Sequence, residues 1–199
     1  MKNLKINEIF KSFQGEGFHT GKSAIFIRLG GCNLWDNNES SRISNKFCGK
    51  WCDTDFSTKK SLSVSSLLKE VSLLGKTRLL IFTGGEPYLQ LTQELLNIFK
   101  EVYPEVLICI ETNGTLNKNF SGVWVTCSPK ENTTIVLKEV DEIKLVVPQE
   151  TYPKEFPTAK HYFVQPKNSL VNLDAALNYM ENNLDYRLSV QLHKLVGAR

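Results

Sequence analysis

The run Leu79-Leu80-Ile81-Phe82-Thr83-Gly84-Gly85-Glu86-Pro87 decides the fold class. Four apolar residues in succession, then a glycine pair and a proline, read as a buried strand that stops in a turn. An apolar run without alternation belongs to a strand covered on both faces, as in a parallel sheet. Upstream, Val64, Leu67, Leu68, Val71 and Leu74 keep helical spacing, with Ser63 as N-cap and Gly75 as the stop. Before that helix, residues 24–29 (AIFIRL) form another apolar run, closed by Gly30-Gly31. Downstream, Leu91, Leu95, Ile98 and Val102 predict a helix, and residues 106–110 a strand closed by Glu111-Thr112-Asn113-Gly114. Strands are also predicted at 123–127, 143–147 and 162–164, a helix through Leu173, Ala176, Leu177, Met180 and Leu184, and a final strand at 188–192. Strands alternating with helices give an α/β fold with a mostly parallel sheet. Right-handed crossovers curl such a sheet into an open or closed barrel.

Composition narrows the class. The chain has 199 residues, 41% hydrophobic and 23% charged, with 12 Gly and 7 Pro. Those values exclude a disordered or collagen-like chain. The length suits one domain or two small ones and falls short of the about 250 residues of a complete eight-unit barrel. A net charge of +3 is a mixed, solvated surface and gives no footprint for nucleic acid. No apolar run is long enough to span a membrane, and the first residues carry no apolar signal-peptide core. The five cysteines are an odd number in a chain that is not a small secreted scaffold. A reducing, cytoplasmic location is therefore expected, and the cysteines need a reason other than disulfides.

Cys109 and Cys127 lie inside apolar runs and read as packed small hydrophobes. Cys32, Cys48 and Cys52 share the loop after the first core strand, with fifteen and then three residues between them. Three cysteines in one loop are open to a structural zinc site, an iron–sulfur site or chance. Structural zinc takes four ligands. No histidine lies between Gly21 and Lys160, so an aspartate such as Asp53 or Asp55 would have to complete it. Iron–sulfur clusters take thiolates. The stretch at 36–46 (DNNESSRISNK) is the most polar in the chain and reads as a surface insertion. Strand ends carry the polar residues, and parallel α/β folds place their sites there.

Several of these segments occur together in one known family. They are Glu8-Ile9-Phe10-Lys11-Ser12-Phe13-Gln14-Gly15-Glu16-Gly17, Phe26-Ile27-Arg28-Leu29-Gly30-Gly31-Cys32-Asn33-Leu34, and Trp51-Cys52-Asp53-Thr54-Asp55-Phe56. Thr83-Gly84-Gly85-Glu86-Pro87, Glu111-Thr112-Asn113-Gly114, Ser128-Pro129-Lys130, Gln165-Pro166 and Leu188-Ser189-Val190-Gln191-Leu192-His193-Lys194 follow in order. The chain resembles 7-carboxy-7-deazaguanine synthase, a radical S-adenosylmethionine (SAM) enzyme of queuosine and deazapurine biosynthesis. The resemblance runs from about Glu8 to Lys194. Radical SAM proteins usually leave three and then two residues between the cysteines. The longer first gap matches an insertion that some members carry.

The resemblance implies a single radical SAM domain over 1–199, built as a partial βα barrel with the polar insertion at 36–46. It implies ring contraction of 6-carboxy-5,6,7,8-tetrahydropterin with loss of ammonia, on a 4Fe-4S cluster with SAM and magnesium. Cys32, Cys48 and Cys52 would hold the cluster and Thr54 the magnesium. Trp51, Asp53, Gly84, Gly85, Glu86, Glu111, Ser128, Lys130 and Gln165 would lie on the cofactor side. In that scheme the two glycines let backbone approach the SAM amino group, and Glu86 accepts from it. Phe13, Gln14, Gly15, Glu16, Arg28, Thr83, His193 and the Arg199 carboxylate would face the pterin. Arg28 would take the substrate carboxylate bidentately, and Glu16 the guanidine-like edge. An electron donor such as flavodoxin or ferredoxin and a homodimer are also implied, with no nucleic acid or membrane partner. Other readings of the same residues are a different small radical SAM enzyme, such as a glycyl-radical activase, a zinc-stabilised binding module, and a scaffold that has lost its cluster.

Overall fold

A computed structural model describes residues 2–199. The strands are β1 (Leu4–Phe13), β2 (Ser23–Leu29), β3 (Lys60–Leu62), β4 (Leu79–Gly84), β5 (Leu107–Thr112), β6 (Trp124–Cys127), β7 (Glu139–Val147), β8 (Thr158–Pro166) and β9 (Tyr186–Leu188). The α-helices are α1 (Glu39–Arg42), α2 (Val64–Leu73), α3 (Gln93–Val102), α4 (Leu173–Glu181) and α5 (Leu192–Leu195). All nine strands form one sheet in the order β3-β1-β2-β4-β5-β6-β7-β8-β9. From β2 to β9 the pairing is parallel; β1 and β3 add antiparallel at one edge. The sheet does not close on itself, which makes it the open, partial α/β barrel implied by the resemblance.

Period-two alternation sorts the side chains onto two faces. On the outer face Ile25, Ile27 and Leu29 of β2, Leu80 and Phe82 of β4, Ile108 and Ile110 of β5, and Ile143, Leu145 and Val147 of β7 form the main core with Leu67, Val71, Leu95, Leu96 and Phe99. Phe82 meets Phe99 of α3 edge-on at 5.2 Å, a favoured aromatic geometry. α2 starts at the expected cap, and α3 is capped at Thr92, past Leu91. The Ser63 side chain accepts from Ser66 N at the head of α2, and Thr92 accepts from Leu95 N at the head of α3. The inner face holds a smaller apolar group, Ala24, Leu79, Ile81 and Cys109 with Phe26 and Trp124. Toward the C-terminal strand ends this face turns polar and lines a cavity.

Several elements differ from the sequence reading, among them β3 and α1, which carry no periodic signal. β1 went unread because its register shifts between Ile6 and Glu8. Such a bulge breaks the alternation by which a strand is recognised. The strand expected at 162–164 extends over 158–166. The strand expected at 188–192 ends at Leu188, and α5 begins at Leu192. There Ser189 turns its hydroxyl to Gln165 and Gln191 its amide to Glu16, so the chain leaves the sheet edge for the inner face.

Candidate active site

The inner face opens into a cavity of about 500 Å³ at the C-terminal ends of the parallel strands, within the usual range for small-molecule sites. Its walls include Phe13, Gln14, Glu16, Arg28, Thr83, His193 and Arg199 from the expected substrate set, and Glu111 from the expected cofactor set. They also include Trp51, Asp53, Gly84, Gly85, Ser128, Lys130, Gln165, Thr54 and the three loop cysteines. Residues spread from 13 to 199 thus meet in one place because each strand delivers its last inward residue to the same rim.

The strongest electrostatic feature is one that the sequence reading passed over. Lys144 sits midway along β7, inward and only 5% exposed. Its ammonium bonds to Glu16 and lies 3.6 Å from Glu111 Oε1. Burial opposes both charges. The Lys144 ammonium nevertheless takes Glu16 down to about 2, and Glu111 and Glu16 hold Lys144 well above the ordinary lysine range. Glu16 also accepts from Gln191 Nε2 at 2.9 Å. Glu111 accepts from Gln14 Nε2 at 3.1 Å and from Thr83 Oγ1 at 2.8 Å. A lysine inside the run Ile143 to Val147 was the signal that could have found this centre.

Across the cavity Arg28 donates from Nε to Glu8 Oε1 at 2.9 Å, on the strand opposite it in register. Among the described residues neither terminal guanidinium nitrogen of Arg28 has a protein partner. Glu8 also pairs with the Arg199 guanidinium, and Ser12 Oγ donates to the Arg199 carbonyl at 2.5 Å. Despite burial, the two arginines hold Glu8 below the usual carboxylate range. The Arg199 guanidinium also lies 4.7 Å from the Phe10 ring. Glu8 and Gln191 are further site residues that the sequence reading missed.

Two expected contacts are corrected. Glu86 is fully buried and does not line the cavity. Its carboxylate accepts from Tyr88 N at 3.0 Å, Thr112 Oγ1 at 2.7 Å and Asn113 N at 2.7 Å. Those bonds tie the end of β4 to the end of β5 and turn the carboxylate away from the cavity. Gly15 is also outside the cavity walls. A Cβ there would lie 2.2 Å from His193 Nδ1, so this glycine admits the histidine and does not face a ligand. Gly84 and Gly85 do line the cavity, and their missing side chains have a packing reason. A Cβ on Gly84 would meet the Leu29 carbonyl oxygen at 2.2 Å, and one on Gly85 the Gly31 carbonyl oxygen at 2.0 Å.

Residues 36–46, expected as a surface insertion, act as a brace for the cysteine loop. Arg42 donates to the carbonyls of Gly49 and Cys52 at 3.0 and 3.1 Å and lies 4.4 Å over the Trp35 ring. Asn45 accepts from the Phe47 and Gly49 amides at 2.9 Å and donates to the Leu34 carbonyl at 3.0 Å. Cys48 opens a 3-10 turn, Cys48–Trp51, that ends against Cys52. Burial raises all three thiols, Cys48 to about 12, and Cys32 and Cys52 raise Cys48 further. Lys130, donating to Ser128 Oγ at 2.7 Å, offsets part of this at Cys48 and Cys52.

The donor set distinguishes the metal alternatives. Among the described residues no three His, Cys, Asp or Glu side chains converge as ligands of a single ion would. Asp53 instead pairs with Lys194 at 2.5 Å, and Asp55 is held low by the Ser57 amide and hydroxyl. Three thiols lining one cavity, short of a fourth ligand, fit an iron–sulfur cluster and not tetrahedral zinc. Cluster binding would release the thiol protons.

No family model matches the chain. Individual relatives do. The 7-carboxy-7-deazaguanine synthase of Bacteroides thetaiotaomicron is 38% identical over 199 residues, covering 98% of each chain. That of Bordetella pertussis is 35% identical over 209 residues, covering 96% of this chain and 97% of its own. This chain belongs to the 7-carboxy-7-deazaguanine synthase family. The crystal structure of QueE from Escherichia coli matches with a TM-score of 0.68 and 26% identity, over 96% of this chain and 95% of that one. Members of the 7-carboxy-7-deazaguanine synthase family are radical SAM enzymes, so an iron–sulfur cluster and SAM go with the fold. Among the described residues no helix is long and apolar enough to cross a membrane.

Proposed function

We propose that this chain contracts 6-carboxy-5,6,7,8-tetrahydropterin to 7-carboxy-7-deazaguanine with loss of ammonia, feeding queuosine and 7-deazapurine biosynthesis. One observation carries the reading: the three thiols and the Glu16–Lys144–Glu111 centre open into the same cavity. Cys32, Cys48 and Cys52 would ligate three irons and leave the fourth for SAM. When bound, cluster and SAM together supply a radical able to take a hydrogen from substrate carbon.

The protein's own work is recognition. Arg28 offers two free guanidinium nitrogens in a fork that matches a carboxylate. Glu16, kept ionised by Lys144, is an acceptor for the N–H groups of the pterin's guanidine-like edge. Gln14, Thr83 and Glu111 form one hydrogen-bonded row beside it. His193 stands behind Gly15, and Phe13 adds an apolar wall. Ser128, Lys130, Gln165, Trp51, Asp53, Gly84 and Gly85 line the same cavity and would take the SAM side. Thr54, close to Cys52 in the chain and lining the same cavity, would be the magnesium ligand, with water and substrate oxygens completing the shell. A one-electron donor such as flavodoxin or ferredoxin, a homodimer and a single domain over 1–199 complete the proposal.

The test is anaerobic. The protein is reconstituted with iron and sulfide, then given dithionite, SAM, magnesium and the carboxytetrahydropterin. 7-Carboxy-7-deazaguanine is the expected product. A colourless zinc protein that forms neither this product nor 5′-deoxyadenosine would refute the reading.

A further inference from the structure

We propose that Glu142 is a positioning residue, the floor under the loop at 14–17 that presents Gln14 and Glu16 to the substrate. Glu142 lies on β7, two residues before Lys144 and on the same inward face, only 3% exposed. Its Oε2 accepts from the Phe18 amide at 3.1 Å. Gly17 has φ of +65°, and a Cβ there would sit 2.0 Å from Glu142 Oε1. The carboxylate therefore presses against the backbone that follows Glu16, and only glycine allows it. The Gly17 amide donates to Ser189 Oγ at 3.0 Å. Two successive amides after Glu16 are thus held by side chains from β7 and from the chain past β9. Thr126 and His161 flank Glu142 in register on β6 and β8. Among the aromatic rings beside it, Phe18 stacks on His161 at 4.2 Å and His19 lies 4.4 Å from Trp124.

Burying a carboxylate is costly. Burial pushes Glu142 up to about 7, against the Lys144 ammonium and the Phe18 amide, which lower it. A group kept at that cost with its acceptor aimed at one backbone amide fixes the turn. Fixing the turn aligns Glu16 with Lys144 and Gln14 with Glu111 before substrate arrives.

This inference rests on the function proposed above, so its test has an arm that needs no turnover. Amide hydrogen exchange is measured at Phe18 in the cofactor-free protein for wild type, Glu142→Ala, Glu142→Gln and Gly17→Ala. Loss of a hydrogen bond to a charged acceptor predicts about tenfold faster exchange in Glu142→Ala. Gly17→Ala should show the same direction, and Glu142→Gln, which keeps an acceptor, should stay near wild type. In the reconstituted enzyme KM for the carboxytetrahydropterin should rise about tenfold in Glu142→Ala, while SAM affinity and kcat hold and Glu142→Gln restores KM. Unchanged exchange and KM in Glu142→Ala, or equal losses in Glu142→Ala and Glu142→Gln, would overturn the assignment. If Glu142→Ala does not fold, wild-type exchange in Gly17→Ala overturns it. An inactive wild type would refute the proposed reaction, and the exchange comparison would still decide Glu142.

Discussion

Along β7, Ile143, Leu145 and Val147 enter the helix-covered core, whereas Lys144 and Val146 face the cavity. Glu142, on the same face as Lys144, meets the loop at Gly17 and Phe18. The same alternation runs through β2, with Ile25, Ile27 and Leu29 outward and Arg28 inward, and through β5, with Ile108 and Ile110 outward and Glu111 inward. One backbone thus carries two chemistries that differ by a single residue of register. The outer face is held by apolar area and shape. The inner rim is held by charges that lose their partners when one is removed. Substitutions on the two faces should therefore fail in different ways.

The largest effect is expected at Lys144. Lys144→Met leaves Glu16 and Glu111 facing each other without a cation, and breaking a buried pair costs about 3–5 kcal/mol. Steady-state kinetics should show kcat/KM down by more than ~100-fold. A variant that keeps wild-type kinetics would break the claim that the inner face runs on this charge. On the outer face, Phe82→Ala should lower unfolding free energy by about 3–5 kcal/mol in urea titration. Below its transition it should still bind pterin with wild-type affinity; altered affinity would mean the faces are not separable. Arg28→Ala is expected to be milder, with KM for the carboxytetrahydropterin up about tenfold, as for a lost charged hydrogen bond. Its SAM affinity should stay unchanged.

The smallest effect is a pH slope. Glu142 is raised by burial from the ordinary 4.5 to about 7. Its contribution to stability is complete below pH 4.5 and is lost as pH rises through 7. His19 runs the other way: burial, then Lys22, lower it from 6.5 to about 4, so its contribution is lost as pH falls from 6.5 to 4. Denaturation at pH 5 and pH 8 should find wild type losing stability relative to Glu142→Gln on going up. A flat difference would remove the buried carboxylate from this balance.

The two faces were also unequally legible. Apolar runs and helical spacing located β2 and β4 to β8 with α2 to α4, because burial on both sides leaves a continuous signal. The strand ends pointed to the rim, since each supplies one polar residue in turn. What the sequence withheld is direction. Glu86 and Gly15 stand within the most recognisable segments, yet Glu86 turns into the β4–β5 joint and Gly15 turns toward His193. Lys144 was hidden by its apolar neighbours, although a lysine there has no place to go but inward. Residues 36–46 looked like decoration because hydrogen bonds such as those from Arg42 to Gly49 and Cys52 have no periodic pattern.

The central claim is that the three-cysteine wall and the charged inner rim serve one radical SAM site. Electron paramagnetic resonance of the reconstituted, dithionite-reduced protein tests it most directly, with and without SAM, in wild type and Cys48→Ala. The account predicts a reduced 4Fe-4S signal in wild type that shifts when SAM is added, and no such signal in Cys48→Ala. A wild-type cluster signal indifferent to SAM, or an equal cluster in Cys48→Ala, would contradict it.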